Sequence, residues 1–386
     1  MDKHSDKTTL PPEADRLVRI GYRVETGLRE LACRVALRAG WTEAILPYPG
    51  YGTRGRARVL GRVLLAPPAT DPAARREVPG WQRFLTLERP DADVAVELSG
   101  SRRTVRSDEG GVVDVVLDVA VPAGQASASL DIGGRHATAT VHIAPDDARV
   151  GVVCDIDDTV WITGLHNPLR AAWRTMARSS GGRRPVPGMA RLLRALREHY
   201  PDAPLVYLSN GPWNLAGPVA LFMERCGFPA GPLLMTDWGI TPRAWFRDGR
   251  AHKRSSLERL VEDFPQVSWV LVGDDGEHDP DLYGEFAERH PDRVAAIALR
   301  QVQPRHERAG AQDQAGGSAL DGLEVARAAS EAVVVQAPDG TGLLRGLHDA
   351  LGIRPVPDDG TQTRKLTLVS NPTGQEIANP APPSPS

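Results

Sequence analysis

At 386 residues the chain is longer than one hydrophobic core usually holds, so two domains are expected, and 41% hydrophobic residues suffice to fill them. A formal net charge of −3 offers no bulk attraction to nucleic acid, and no window stays apolar for the length of a membrane span. The three cysteines, Cys33, Cys154 and Cys226, are too scattered for a disulfide framework or a zinc knuckle. A reduced, cytoplasmic setting follows, at most peripheral to a membrane.

Residues 1–14 are polar, lead into no apolar core of the signal-peptide kind, and are expected to be disordered. Over 15–40, Leu17, Ile20, Val24, Leu28, Leu31 and Val35 recur at three- and four-residue steps, which predicts an amphipathic helix. Arg16, Arg19, Arg23, Arg34 and Arg38 give it a basic flank. Two readings stand: the stripe packs on the following domain, or it meets a membrane or a partner. From 41 to 147 short alternating runs at 56–65, 94–98, 112–121 and 136–143 are broken by Pro, Gly and Asp clusters at 47–55, 67–72, 108–111 and 133–134. That spacing predicts a small antiparallel β-sandwich with no catalytic constellation of its own.

Beyond 148 the pattern changes again. Apolar strands at 151–154, 204–208, 232–235, 269–272, 294–299 and 332–335 alternate with helical patterns at 187–199, 215–226, 253–264, 281–290 and 343–351. Such alternation predicts an α/β domain over 148–354 built on a doubly wound parallel sheet. Residues 301–330 read as a long polar surface loop, and 355–386, rich in Pro, Thr and Asn, as a disordered tail.

The first apolar run of this domain breaks abruptly into Asp155-Ile-Asp157-Asp158-Thr159. Ligands of open α/β sheets gather at the carboxyl ends of the strands, and acids clustered there repel unless a cation lies between them. Mg²⁺, a hard ion that takes oxygen ligands, is the natural candidate. Three more strand ends or helix starts carry reactive residues: Ser209-Asn210-Gly-Pro-Trp-Asn214, His252-Lys253, and Gly273-Asp274-Asp275-Gly-Glu277-His278-Asp279. Lys253 is conspicuous. Of the 46 basic side chains only four are lysines, and the other three, Lys3, Lys7 and Lys365, lie near the termini. A compact ammonium kept in an arginine-writing chain points to a role the planar guanidinium cannot fill.

In this order the motifs resemble the haloacid dehalogenase-like superfamily of aspartate-nucleophile phosphotransferases. Asp155-Ile-Asp-Asp-Thr159, Ser209-Asn-Gly-Pro-Trp-Asn-Leu215, His252-Lys253 and Gly273-Asp-Asp-Gly-Glu-His-Asp-Pro-Asp-Leu-Tyr283 together look like the catalytic domain of the actin-patch phosphatidate phosphatase family. Tyr48-Pro-Gly-Tyr-Gly-Thr53 and Gly61-Arg-Val-Leu64 resemble segments upstream of it in bacterial relatives. The departure is Asp275, where the family leads one to expect serine.

The resemblance implies a haloacid dehalogenase-like fold with a small cap and a Mg²⁺-dependent phosphatase. Asp155 would be the nucleophile, forming an aspartyl-phosphate, and Asp157 the general acid and base. Mg²⁺ would be held by Asp155, the Asp157 carbonyl and Asp274, with Asp279 or Asp275 in or beside the shell. Lys253 would offset negative charge, Ser209 and Asn210 would bind the transferring oxygens, and Thr159 would shape the turn beside the substrate. Glu277 and His278 would support the loop or its ligands.

Substrate class is less legible. Leu165, Leu169, Trp173 and Met176 fall on one helical face with Arg170, Arg174 and Arg178 beside them, flanked by Trp161, Arg183 and Arg184. Such a group suits a lipid interface presenting phosphatidic acid, or equally a cap over the sheet. Phosphatidate leads as substrate. A soluble sugar or nucleotide phosphate is the alternative, and from another class, a docking protein with a vestigial phosphatase domain.

Overall fold

The computed structural model describes residues 31–67, 87–162, 184–236, 242–276, 278–302 and 330–356, together with Gly27 and Glu324. The segments 1–14 and 163–183, most of 301–330, and 357–386 lie outside the described residues, and with them the expectations of disordered termini, of a long loop and of a Leu165–Met176 face. Among the described residues no helix is long and apolar enough to cross a membrane.

A helix over 31–38 (α1) leads into a run of eight strands: β1 Thr42–Thr53, β2 Arg56–Ala66, β3 Leu87–Glu88, β4 Asp93–Leu98, β5 Ser101–Arg106, β6 Val112–Asp118, β7 Gly124–Ile132 and β8 Arg135–Ala144. They form one hydrogen-bonded sheet in the order β3-β2-β1-β8-β7-β4-β5, with β6 also on β2. Val59 and Val63 of β2, Val94 and Val96 of β4, Val115 of β6, Leu130 of β7 and Val141 of β8 share one buried cluster. The expectation of a wholly antiparallel assembly needs one correction, since β1 and β8 pair in parallel, Gly50 opposite Val141. Side-chain alternation has the same period in both pairings, so the sequence pattern does not separate them.

A second correction concerns 47–55, read as a turn cluster. β1 runs on to Thr53, with a shift of register between Tyr48 and Tyr51, and leaves only 54–55 as the bend before β2. The glycines are there for close approach. A methyl on Gly50 would lie 2.2 Å from the Arg58 carbonyl oxygen, and one on Gly52 2.3 Å from that of Arg56.

The second sheet has the order β11-β10-β9-β12-β13-β14, every neighbouring pair parallel. Its strands are β9 Val150–Asp155, β10 Leu205–Pro212, β11 Leu233–Thr236, β12 Ser268–Asp274, β13 Val294–Arg300 and β14 Val333–Ala337. The helices are α2 Met189–His199, α3 Ala216–Arg225, α4 Pro242–Asp263, α5 Asp279–Arg289 and α6 Gly340–Leu351. α2 packs against α6, and α4 against α5. Strand–helix alternation thus yields the mixed α/β architecture, because parallel neighbours need a crossover between them.

The two sheets share a core. Tyr48, Tyr51 and Leu60 of the first belong to the same buried cluster as Val152, Leu208, Leu260 and Phe264 of the second. Tyr48 stacks on Trp213 at 4.7 Å between centroids and Tyr51 on Phe264 at 5.7 Å. The buried Arg62 guanidinium donates to Gly110 O, to Glu88 and, across the boundary, to Asn214 Oδ1. Arg58 binds Asp263 at the end of α4 through Nε, 2.9 Å away. The upstream segments singled out in the sequence, 48–53 and 61–64, are therefore contacts with the second domain.

Candidate active site

β9 is a central strand, flanked by β10 and β12, and the carboxyl ends of all three meet. Asp155 ends β9, Asp274 ends β12, and Ser209 lies on β10 one residue past Leu208, the register partner of Asp155. All three are buried. Their strands read as apolar runs because both faces are covered, so the first charged residue marks the sheet edge.

Lys253 reaches this edge from α4. The helix begins at Pro242 rather than near 253 as expected, so Lys253 stands well inside it. Gly249 and the arginines of 242–252 hide the helical period, while Pro at the first position suits a helix start. The glycine also clears space, since a methyl there would lie 3.0 Å from Asn210 Cγ. Lys253 Nζ lies 2.6 Å from Asp155 Oδ1 and 2.6 Å from Asp279 Oδ1. Asp279 is the first residue of α5, where the helix N-terminus favours an anion. It comes close because residue 273 is glycine: a methyl there would sit 2.4 Å from Asp279 Oδ2.

Asp155, Asp274 and Asp279 each offer a carboxylate oxygen, all within 4.8 Å of one another. Three buried carboxylates against one ammonium leave two negative charges to balance. Burial drives the Asp155 carboxyl well above the ordinary carboxylate range; Lys253 opposes the shift, and Asp279, Asp157 and Asp274 add to it. Asp155 Oδ2 accepts no hydrogen bond among the described residues. An all-oxygen donor set short of two positive charges fits a hard divalent cation such as Mg²⁺. His252 brings no charge, because burial pushes its imidazole down to about 4.

Asp157 is oriented separately. Ser209 Oγ donates to its Oδ2 at 3.0 Å and Trp161 Nε1 to its Oδ1 at 3.3 Å, while Ser209 Oγ accepts from Gly211 N–H at 2.9 Å. The Ser209 hydroxyl thus bridges the Asp157 carboxylate and the Gly211 backbone. Trp161, which flanks the group read as a lipid interface or a cap, is 1% exposed, with its ring edge-on to Phe222. It stands just past the turn, on isolated bridges to Asp157 and Pro185. Asp158 adopts φ of 54°, a left-handed conformation that aspartate tolerates, and Val160 N–H closes the turn on Ile156 O.

The remaining candidates divide. Thr159 is fully buried inside the turn. Asn210 is held beside the site, its carbonyl accepting from Thr236 Oγ1 at 2.8 Å. Asp275 turns away: its Oδ1 accepts from Val302 N–H at 2.8 Å, and it stands outside the three-carboxylate group. His278 is exposed, and Glu277 lies outside the described residues. Sequence reasoning missed Arg300. Ending β13 and largely buried, it donates to the Asp158 carbonyl and so ties down the turn that carries Asp157. One arginine among so many carries no sequence signal of its own.

Residues 150–301 match the family model described as phosphatidate phosphatase APP1, catalytic domain. Phosphatidate phosphatase APP1 of Saccharomyces cerevisiae is 26% identical over 152 residues, 39% of this chain and 26% of that protein. An uncharacterized protein of Schizosaccharomyces pombe is 26% identical over 158 residues, 41% of this chain and 26% of that one. The chain thus spans about a quarter of the length of these curated relatives. A carbohydrate acetylesterase structure from Xanthomonas citri is similar at a TM-score of 0.25 and 11% identity, covering 75% of this chain and 76% of its own, too low to carry an argument. The segment holding Asp155, Lys253, Asp274 and Asp279 is thus the part of the chain that is similar to the phosphatidate phosphatase APP1 catalytic domain.

Proposed function

We propose that the chain is a Mg²⁺-dependent phosphomonoester hydrolase of haloacid dehalogenase-like, doubly wound fold, acting on phosphatidate to give diacylglycerol and inorganic phosphate. One observation carries the reading: a lone buried ammonium bonded to two of three clustered carboxylates at one sheet edge. A binding module has no use for that arrangement, whose burial costs stability.

Asp155 attacks phosphorus with a carboxylate oxygen, and the bond from phosphorus to the ester oxygen breaks. Asp157 gives its proton to the departing alkoxide, then takes one from the water that attacks the aspartyl-phosphate. That second displacement releases phosphate and restores Asp155. Lys253 opposes the upward shift of the Asp155 carboxyl and counters charge on the phosphoryl oxygens. Asp155, Asp274, Asp279 and the Asp157 carbonyl would hold Mg²⁺, which would supply charge neutralisation for the transfer. Ser209 and Trp161 fix the direction of Asp157, and Arg300 fixes its turn.

Purified protein is expected to hydrolyse an aryl phosphate with Mg²⁺ and not after chelation. Asp155→Asn should lower turnover on the order of 10³-fold or more while the fold persists. Activity retained by that variant sinks the mechanism, and no activity in the parent leaves the docking reading. A panel of short-chain phosphatidate, sugar phosphates and nucleotides tests the substrate: a preference for the soluble esters overturns the lipid assignment.

A further inference from the structure

Helix α1 is held to the first sheet by its small residues. Cys33 and Ala36 are buried with Leu65, with Trp41 and Leu87 packed around them, and Cys33 Sγ bonds Glu88 O at 3.2 Å. The larger apolar residues are exposed: Leu31 52% and Val35 55% on one face, and Leu37 40% on the side of Cys33. At 100° per residue the Leu31/Val35 direction points roughly 150° away from the Cys33/Ala36 direction. The apolar stripe of this helix therefore does not cover the domain behind it. Arg34 and Arg38 are exposed along one side of the stripe, and 31–38 contains no acid.

We propose that this face docks the protein on an anionic lipid bilayer, Leu31 and Val35 entering the acyl boundary and Arg34 and Arg38 lying among the headgroup phosphates. Charge decides between occupants. The chain as a whole is at −3, so a basic flank on this helix is a local departure that anionic headgroups complement. A second copy would bring the same arginines against themselves across a twofold axis. The sequence before residue 31 repeats the pattern, with Leu17, Ile20, Val24 and Leu28 in step with Leu31 and Arg16, Arg19 and Arg23 on the same side. The docking stands apart from the phosphatidate reading, since any anionic headgroup satisfies it.

The test uses the full chain carrying Asp155→Asn, so that no lipid is consumed, with phosphatidylcholine vesicles with and without phosphatidylserine. Phosphatidylserine is not a phosphomonoester, which separates surface docking from capture by the active site. Binding is expected only with phosphatidylserine, falling as salt rises. Leu31→Ser/Val35→Ser should weaken it at least about tenfold, and Arg34→Gln/Arg38→Gln should weaken it and flatten the salt dependence. In the chain with Asp155 intact, both double variants should retain the parent's melting temperature and aryl-phosphate turnover. Absence of binding, or equal binding by the serine variant, overturns the proposal. So does a melting temperature lowered by the serine pair, or a parent dimer that the pair converts to monomer.

Discussion

Asp157 has both carboxylate oxygens engaged by neutral donors, Ser209 on one and Trp161 on the other. A proton-transfer group held this way has its direction fixed before substrate arrives. Trp161→Phe keeps the ring against Phe222 and removes one N–H. Turnover should fall about tenfold, the scale of one lost hydrogen bond to a charged group, with KM little changed. Steady-state kinetics check both; a change in KM alone counts against the assignment. At this scale the sequence was legible where chemistry is conspicuous. Asp155 and Asp274 stand out as the first charges after apolar runs, Asp279 in the acidic cluster that follows, and Lys253 as one of only four lysines. Trp161 and Arg300 do not, because a tryptophan or arginine has the same letter whether it faces a carboxylate or solvent.

Elements bring these residues together by close approach as much as by periodicity. Gly273 is the last residue of β12 but one, and a side chain there would collide with Asp279 Oδ2 and, at 2.9 Å, with the Tyr283 ring. Gly273→Ala should cost about 1–3 kcal/mol, the usual range for overpacking. It should also raise the Mg²⁺ concentration needed for half-maximal activity, as Asp279 is pushed from its neighbours. Calorimetric unfolding and a metal titration of activity measure the two effects; an unchanged titration argues against Asp279 as a ligand. Parallel strands were readable as apolar blocks because both faces are buried. β5 and β7 were missed for different reasons: β5, Ser-Arg-Arg-Thr-Val-Arg, is a largely exposed edge strand guarded by charge, and β7 alternates small Ala and Ser residues. The start of α4 was missed because its first turns show no apolar period.

For the whole molecule, the first sheet supports the loop that bears the reacting groups. Tyr48 stacks on Trp213 and its hydroxyl donates to the Trp213 carbonyl at 3.4 Å, four residues past Ser209 in the chain. Tyr48→Leu should destabilise the fold by about 1 kcal/mol, the scale of a lost aromatic pair, and lower turnover as the β10 end loosens. Paired thermal and kinetic measurements test this: a lower melting temperature with unaltered kinetics would confine Tyr48 to the fold. The domain order was legible from the change of pattern near 148, but the seam between domains was not, since Tyr48 and Arg62 resemble ordinary strand residues. Their placement limits how such a chain can be rearranged. A different leading module grafted ahead of residue 148 would have to supply its own ring for Trp213 and its own guanidinium for Asn214, so the halves are expected to be inherited as a pair, not shuffled.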